Sequence, residues 1–73
     1  MKPVNTLLEI MKAGASITVN GHGVSSTSLT TLAKGAAAFN VHLTIRGVSG
    51  TSIITLQDIA KAGAGHVTLD FCE

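Results

Sequence analysis

The chain has little of several residue types that small proteins use for stability or for ligand binding. Its 73 residues include one cysteine, one proline, two phenylalanines and no tryptophan or tyrosine. The single cysteine, Cys72, excludes an internal disulfide, and no cysteine–histidine cluster has the spacing of a metal site. Scarce aromatic side chains argue against a large aromatic-lined ligand cavity and against a stacking surface for single-stranded nucleic acid.

Charge is also scarce, and it is balanced. Five basic and four acidic residues give a formal net charge of +1, which provides no basic surface for nucleic acid. No apolar run approaches the ~20 residues of a membrane-spanning helix. Pro3, Asn5 and Glu9 interrupt the segment in which a signal peptide would have its apolar core. We therefore expect a cytoplasmic protein with a reduced Cys72, which binds neither nucleic acid nor a membrane.

What the sequence does contain is a repeat. A helix-like segment, a glycine-rich turn and a strand-like segment occur twice, 24 residues apart. The matching residues are Thr27, Ser28, Leu29, Leu32 and His42–Ile45 in one copy, and Thr51, Ser52, Ile53, Leu56 and His66–Leu69 in the other. A shorter copy opens the chain, from Leu7 to Val19. A fixed period of this length is typical of repeat proteins, and we expect one domain over 1–73 with repeats near 1–23, 24–47 and 48–73.

Apolar spacing and turn residues predict the elements of each repeat. We expect helices near 4–13, 27–38 and 52–62, and strands near 16–20, 41–46 and 66–71. In the second helix, Gly35 costs roughly 1 kcal/mol relative to alanine. In the third helix, the predicted buried face consists of Ile53, Leu56, Ile59 and Ala60.

Strands that are joined through a helix are parallel, with right-handed crossovers. The fold class is therefore α/β, with a three-stranded parallel sheet in the order 1-2-3 and all helices on one face. Over nearly the whole chain this arrangement resembles a short leucine-rich-repeat-like α/β solenoid. The asparagine ladder of leucine-rich repeats is absent, because Asn20 is matched by Arg46 and Asp70. The resemblance implies a sheet surface that binds a partner.

Alternation along each strand divides the side chains between two faces of the sheet. The residues expected to face the helices are Ile17, Val19, Leu43, Ile45, Val67, Leu69 and Phe71. The residues expected on the other face form three rows, which are Ser16-His42-His66, Thr18-Thr44-Thr68 and Asn20-Arg46-Asp70. We call this second surface the polar face, and all of its members except Ser16 are candidate partner-binding residues. The alternative is a solvated sheet face with one cross-strand ion pair.

The polar face has no assembled catalytic or metal site. His42 and His66 are expected side by side, roughly 5 Å apart. No third ligand is expected near them, and zinc sites use three or four ligands. His66 and Asp70 are separated by roughly 13 Å along one strand, too far for an acid–base pair. We therefore expect no enzymatic activity, no cofactor and no metal.

The turn formed by Asn20-Gly21-His22-Gly23 suggests a different class of protein. A Gly-His turn before a helix, followed eleven residues later by Ala33-Lys34-Gly35, is similar to the phosphocarrier protein of the bacterial sugar phosphotransferase system. Later segments, Ser52-Ile53 and Val67-Thr68-Leu69, fall at similar spacings. This resemblance implies that His22 accepts a phosphoryl group at a helix N-terminus. Val24 and Ser25 stand where that family has arginine and proline, so the alternative is an ordinary exposed turn histidine.

Three functional hypotheses follow from the sequence. The leading one is a small bacterial interaction module that binds a protein partner through the polar face or the strand edges. The others are a phosphocarrier-like protein, which an antiparallel central strand pair would favour, and a purely structural self-assembling unit. Soluble proteins usually protect their edge strands, but here neither edge strand contains proline and only Asp70 adds a charge. We therefore predict a homodimer in which strand 66–71 pairs antiparallel with its twofold mate, with both Cys72 residues near the axis.

Overall fold

The computed structural model describes residues 3–71 and shows helices and strands in strict alternation. The elements are α1 (Val4–Lys12), β1 (Ile17–Asn20), α2 (Ser26–Phe39), β2 (Leu43–Arg46), α3 (Ile53–Gly63) and β3 (Val67–Asp70). Every predicted element is confirmed, with bounds within two residues of the expected ones. None of the helices in the described range has the length and apolar character that crossing a membrane requires.

The three strands form one parallel sheet in the order β1-β2-β3, as predicted. The register aligns Thr18 with Thr44 and Thr68, and it aligns Asn20 with Arg46 and Asp70. The predicted rows of the polar face are therefore confirmed for these two sets. Because β2 is parallel to both of its neighbours, the antiparallel central pair that would have favoured the phosphocarrier-like hypothesis is not present among the described strands.

Similar caps begin and end the second and third helices. Ser25 and Ser52 each accept, through Oγ at 3.3 Å, the backbone N–H of the residue three positions later, which pairs a donor that the helix itself leaves free. Each helix then ends at a left-handed residue, Asn40 with φ 57° and Ala64 with φ 47°. These two residues are 24 positions apart, the same offset as in the register of β2 with β3. Counted from the helix ends and the strands, this offset identifies equivalent positions in the central unit (α2 and β2) and the last unit (α3 and β3). The capping serines are 27 positions apart, because α2 has 14 residues and α3 has 11.

The hydrophobic core lies between the helices and one face of the sheet. Its buried members are Leu7, Met11, Val19, Leu29, Leu32, Ala33, Ala36, Val41, Leu43, Ile45, Val48 and Ile59. In β2, Leu43 and Ile45 are fully buried whereas Arg46 is exposed. The helices thus cover the apolar face and leave the polar face open. Phe71 was expected to face the helices, but it is 56% exposed at the end of the last strand.

Two glycines allow helices to approach their neighbours closely. An alanine Cβ at Gly35 would lie 2.6 Å from Leu8 Cδ2 of α1. An alanine Cβ at Gly63 would lie 3.1 Å from Val67 Cβ and closer still to Val67 Cγ2. The expected helix-propensity cost of Gly35 is therefore accompanied by a packing role, which the sequence alone did not indicate.

Candidate functional site

The side chains of the polar face contact one another. Arg46 Nε lies 3.3 Å from Asp70 Oδ2, with side chains 58% and 29% exposed, which confirms the expected approach of these two residues. The His42 ring is hydrogen-bonded through Nε2 to Thr68 Oγ1. The backbone N–H of His42 donates to Ser16 Oγ at 3.0 Å. Much of this surface is therefore engaged in contacts between neighbouring strands.

The two histidines of the polar face are adjacent in the sheet, but their rings have different partners. The Leu43 N–H donates to the His66 carbonyl oxygen at 2.8 Å, which places His66 beside the start of β2. His66 Nδ1 lies 3.2 Å from the Val41 carbonyl oxygen, so Nδ1 is the protonated nitrogen in this contact. Within residues 3–71, no group of three or more His, Cys, Asp or Glu side chains is placed to hold a metal ion.

Asn20 and His22 form a local turn. Asn20 Oδ1 accepts the backbone N–H of His22 at 2.9 Å, and a Cβ at Gly47 would approach the same oxygen to 2.7 Å. His22 is exposed and lies before Ser25, the residue that caps α2. With Thr18 it lines a depression beside the outer edge of β1. His22 therefore precedes the helix cap, and its role as a phosphoryl acceptor stays a prediction.

Both outer strands have backbone groups that point away from the sheet. The N–H groups of Ile17 and Gly21 donate to the carbonyl oxygens of His42, just before β2, and of Arg46 in β2. The His66 carbonyl oxygen accepts from Leu43 of β2. Hydrogen-bonding direction alternates along a strand. The residues whose backbone groups point outward are therefore Thr18 and Asn20 in β1 and Val67, Leu69 and Phe71 in β3. Two open edges of the sheet were expected, and the register agrees with that expectation.

The third helix has an exposed apolar side. Its predicted buried face is wrong in part, because only Ile59 is fully buried, whereas Ile53 is 69% exposed. Ala60 is also exposed, and Leu56 is half-buried. Ile53, Leu56 and Ala60 follow the i, i+3, i+7 spacing of one side of a helix. We call these three residues the outer stripe.

The outer stripe faces away from the second helix. The opposite side of α3, with Thr55 and Asp58, lines the groove between α3 and α2 together with Thr30 and Lys34 of α2. Since that side of α3 meets α2, the outer stripe lies on the free side of the last unit. The open edge of β3 belongs to the same unit and extends the same free side.

The equivalent positions in the central unit are buried. Leu29, Leu32 and Ala36 lie 24 residues before the outer stripe and are 2%, 0% and 0% exposed. Ala33 lies on the same side of α2, and its Cβ is 3.7 Å from the Cβ position built at Gly63 of α3. This side of α2 is therefore covered by α3. The outer stripe is the surface on which one more helix would pack if the series of units continued.

Comparison with known proteins was also made for the whole chain. A scan against protein-family models, a search of curated proteins and a search of solved structures each found no match. Function is therefore inferred from the geometry of the chain itself.

Sequence reasoning selected the polar face and did not identify the outer stripe as a surface. The apolar spacing of the outer stripe indicates one side of a helix. That side is buried only when a neighbouring element packs on it. The position of the stripe in the third repeat is the available signal, because β3 lies at the edge of the described sheet and α2 packs on the other side of α3. Comparing Ile53 with Leu29 across the 24-residue offset would have revealed this.

Proposed function

We propose that this chain is a small protein-interaction module, built as a short α/β solenoid of three helix–strand units, that binds its partner through the free side of the last unit. The observation that supports this proposal is the contrast between equivalent positions. Ile53 is 69% exposed, whereas Leu29, its counterpart in the central unit, is 2% exposed.

The free side of the last unit offers both apolar area and backbone hydrogen bonds. Covering a fully exposed isoleucine side chain contributes roughly 1.5–3 kcal/mol, and Ile53 and Phe71 are more than half exposed. The outward N–H and carbonyl groups of β3 lie beside this area. A partner strand that pairs with such an edge gains affinity from the main chain and specificity from its side chains.

The polar face is the weaker candidate for the partner-binding surface. Its main side chains already have partners within the sheet, including the Arg46–Asp70 pair and the His42–Thr68 hydrogen bond. A partner that bound there could form new hydrogen bonds with these side chains only by breaking the existing ones, so the net gain in binding free energy would be small. The outer stripe presents apolar surface, and removing such surface from water on binding is favourable in free energy.

Photo-cross-linking in cells of the native host tests this proposal. A benzophenone amino acid is placed at position 53 in one variant and at position 46 in the other. Both positions are largely exposed, since Ile53 is 69% exposed and the Arg46 side chain is 58% exposed. Discrete covalent adducts to protein are expected from position 53. Position 46, on the polar face, serves as the matched control and is expected to give far weaker adducts.

The pattern of adducts decides between the two surfaces. Strong adducts from position 46 with none from position 53 would contradict the proposal and favour the polar face. The absence of adducts at both positions would contradict an interaction role for either surface. The cytoplasmic location expected from the sequence stays a prediction, and fractionation of the same cells tests it.

A further inference from the structure

We propose, on the basis of the function proposed above, that the partner is a second copy of this chain, related by a twofold axis. The outer stripe of one protomer packs on the outer stripe of its partner, and the two β3 strands pair antiparallel. The dimer then has a continuous six-stranded sheet with three helices from each protomer on one face. The position of Cys72 lies outside the described residues, so this proposal does not use it.

The two ends of the chain differ in a way that favours twofold pairing over a head-to-tail contact. At the first unit, Leu8 of α1 is directed towards Gly35 of α2. The free side of α1 includes Thr6 and Ile10, and Ile10 is 38% exposed. This end is thus poorer in exposed apolar area than the last unit, where Ile53 and Phe71 are 69% and 56% exposed. A head-to-tail contact would pair unlike surfaces, whereas a twofold contact pairs the apolar side with itself.

A head-to-tail contact would also fail to close. Joining β3 of one copy to β1 of the next repeats indefinitely unless the rotation closes a ring, whereas a twofold interface uses the same surface on both protomers and ends at two copies. The twofold arrangement buries both apolar sides and leaves at the outer ends the first units, which have less exposed apolar area.

The outward backbone groups of β3 define the register of the antiparallel pair. Val67, Leu69 and Phe71 point their N–H and carbonyl groups outward, so hydrogen-bonded pairs form between these odd-numbered residues. Pairing centred on Leu69 places Leu69 opposite the partner's Leu69 and Val67 opposite the partner's Phe71. This register covers the exposed ring of Phe71 with apolar side chains, which a register centred on Thr68 would not do.

The helical half of the contact has one polar member at its centre. Gln57 lies beside the outer stripe at the position equivalent to Ala33, and it is exposed. When two antiparallel α3 helices meet near their midpoints, Gln57 approaches the partner's Gln57. An amide side chain has both donors and an acceptor, so two copies can hydrogen-bond to each other.

The last unit offers only a small interface to a second copy. Helix α3 has 11 residues, or about 16 Å, and β3 has 4 residues, or about 13 Å. The free side is therefore smaller than the ~800 Å² per partner of a standard interface. We expect dissociation at micromolar concentrations, so the experiment has to span a range of concentrations.

Residue-resolved amide hydrogen exchange of the purified chain, measured by NMR from about 10 μM to 1 mM, tests the arrangement. In the twofold dimer the amides of Val67, Leu69 and Phe71 are hydrogen-bonded, and their exchange is expected to slow at least tenfold as concentration rises. The outward amide of Thr18, on the opposite edge, is expected to exchange at a rate that does not depend on concentration. In Ile53→Lys, the dependence at β3 is expected to disappear while circular dichroism stays unchanged, since Ile53 is exposed.

Each outcome bears on the proposal. Slowing at β3 alone supports the twofold dimer, and slowing at both β3 and Thr18 overturns it in favour of a head-to-tail contact. Exchange that is independent of concentration throughout overturns the second copy as the partner. In that case, photo-adducts from position 53 to a different protein would preserve the proposed function, and the absence of such adducts would overturn both.

Discussion

At the scale of single residues, the two helical glycines make different demands on their neighbours. At Gly35, the atom that an added Cβ meets is the end of the flexible Leu8 side chain, 2.6 Å away. At Gly63, the added Cβ meets the branched carbon of Val67, at 3.1 Å. A leucine tip can rotate away, whereas Val67 Cβ is fixed to the backbone of a paired strand. The same substitution should therefore have different effects at these two positions.

We expect Gly63→Ala to destabilise the protein by about 1–3 kcal/mol, the usual cost of overpacking a well-packed site. This cost exceeds the gain of up to about 1 kcal/mol in helix propensity. In Gly35→Ala the propensity gain largely offsets the displacement of Leu8, so its stability should stay close to that of the wild type. Urea denaturation measures both free energies of unfolding.

Gly50→Ala is the matched control, because nothing lies within 4 Å of a Cβ built there. Its stability should be unchanged or slightly raised through the unfolded state. If Gly63→Ala were as stable as Gly50→Ala, the close approach of α3 to β3 would not contribute to the free energy of unfolding.

The Arg46–Asp70 pair of the polar face should contribute little to stability. The Arg46 side chain is 58% exposed, and exposed ion pairs are typically worth about 0–1 kcal/mol. Arg46→Ala should therefore lower the free energy of unfolding by less than about 1 kcal/mol, with a smaller difference at high salt. Urea titrations at two salt concentrations check both statements, and a loss of several kcal/mol would assign the polar face a structural weight that its exposure does not indicate.

At the scale of the elements, the helix ends offer a sharper comparison. Ala64 ends α3 in the left-handed region, with φ 47°, where an L-residue is disfavoured by roughly 1–2 kcal/mol. Ala13 ends α1 at φ −74°, in the ordinary right-handed region. The two alanines therefore both follow the last residue of a helix, but their backbone conformations differ.

We expect Ala64→Gly to stabilise the protein by about 0.5–1 kcal/mol. Glycine removes the strain of the left-handed conformation, and the greater conformational entropy that glycine gives to the unfolded chain offsets part of this gain. Ala13→Gly is the control and should destabilise by up to about 1 kcal/mol, because it adds only unfolded-state entropy. Thermal unfolding of both variants gives the comparison. Equal shifts of the same sign would show that helix-end conformation does not determine their effect.

Local patterns were sufficient to predict the elements of this chain. Apolar spacing and glycine turns each depend on a few consecutive residues, and they agree with one another in all three units. The rows of the polar face followed as well, because strand alternation and the repeat offset together determine the register. The contact of Arg46 with Asp70 could therefore be predicted from sequence alone.

What local patterns could not predict is which apolar residues lack a neighbour. Leu29 and Ile53 have the same chemistry and the same place in their repeats, yet they are 2% and 69% exposed. Their difference arises because α3 packs on the side of α2 that includes Leu29, whereas no described element packs on the side of α3 that includes Ile53. The hydrogen-bond partners of the His42 and His66 rings are also beyond local patterns, because they depend on the directions of side chains on neighbouring strands.

At the scale of the whole molecule, a chain of this length has a small core. Domains near this size bury only ~60% of the surface of the unfolded chain, so covering the free side of the last unit would add substantially to stability. Ligation of the folded state raises its apparent stability with concentration. We therefore expect the thermal midpoint to rise with protein concentration in the wild type but not in Ile53→Lys, as measured by circular dichroism. A midpoint that is independent of concentration in both proteins would mean that the free side is not covered by a second copy.

Sedimentation equilibrium is the most direct test of the proposed twofold dimer through the free side of the last unit. Ile53 and Ile54 are adjacent and equally exposed, at 69% each, but they lie about 100° apart around the helix. Ile54 is equivalent to Thr30, a position that is already polar in the central unit, so lysine should be tolerated there.

The wild type and Ile54→Lys should therefore show a mass that rises with concentration from one towards two chains of 7.4 kDa, whereas Ile53→Lys should remain at the mass of one chain. A wild type that stays at the mass of one chain up to about 1 mM would contradict self-association through this side, and so would an Ile53→Lys variant that dimerises as well as the wild type.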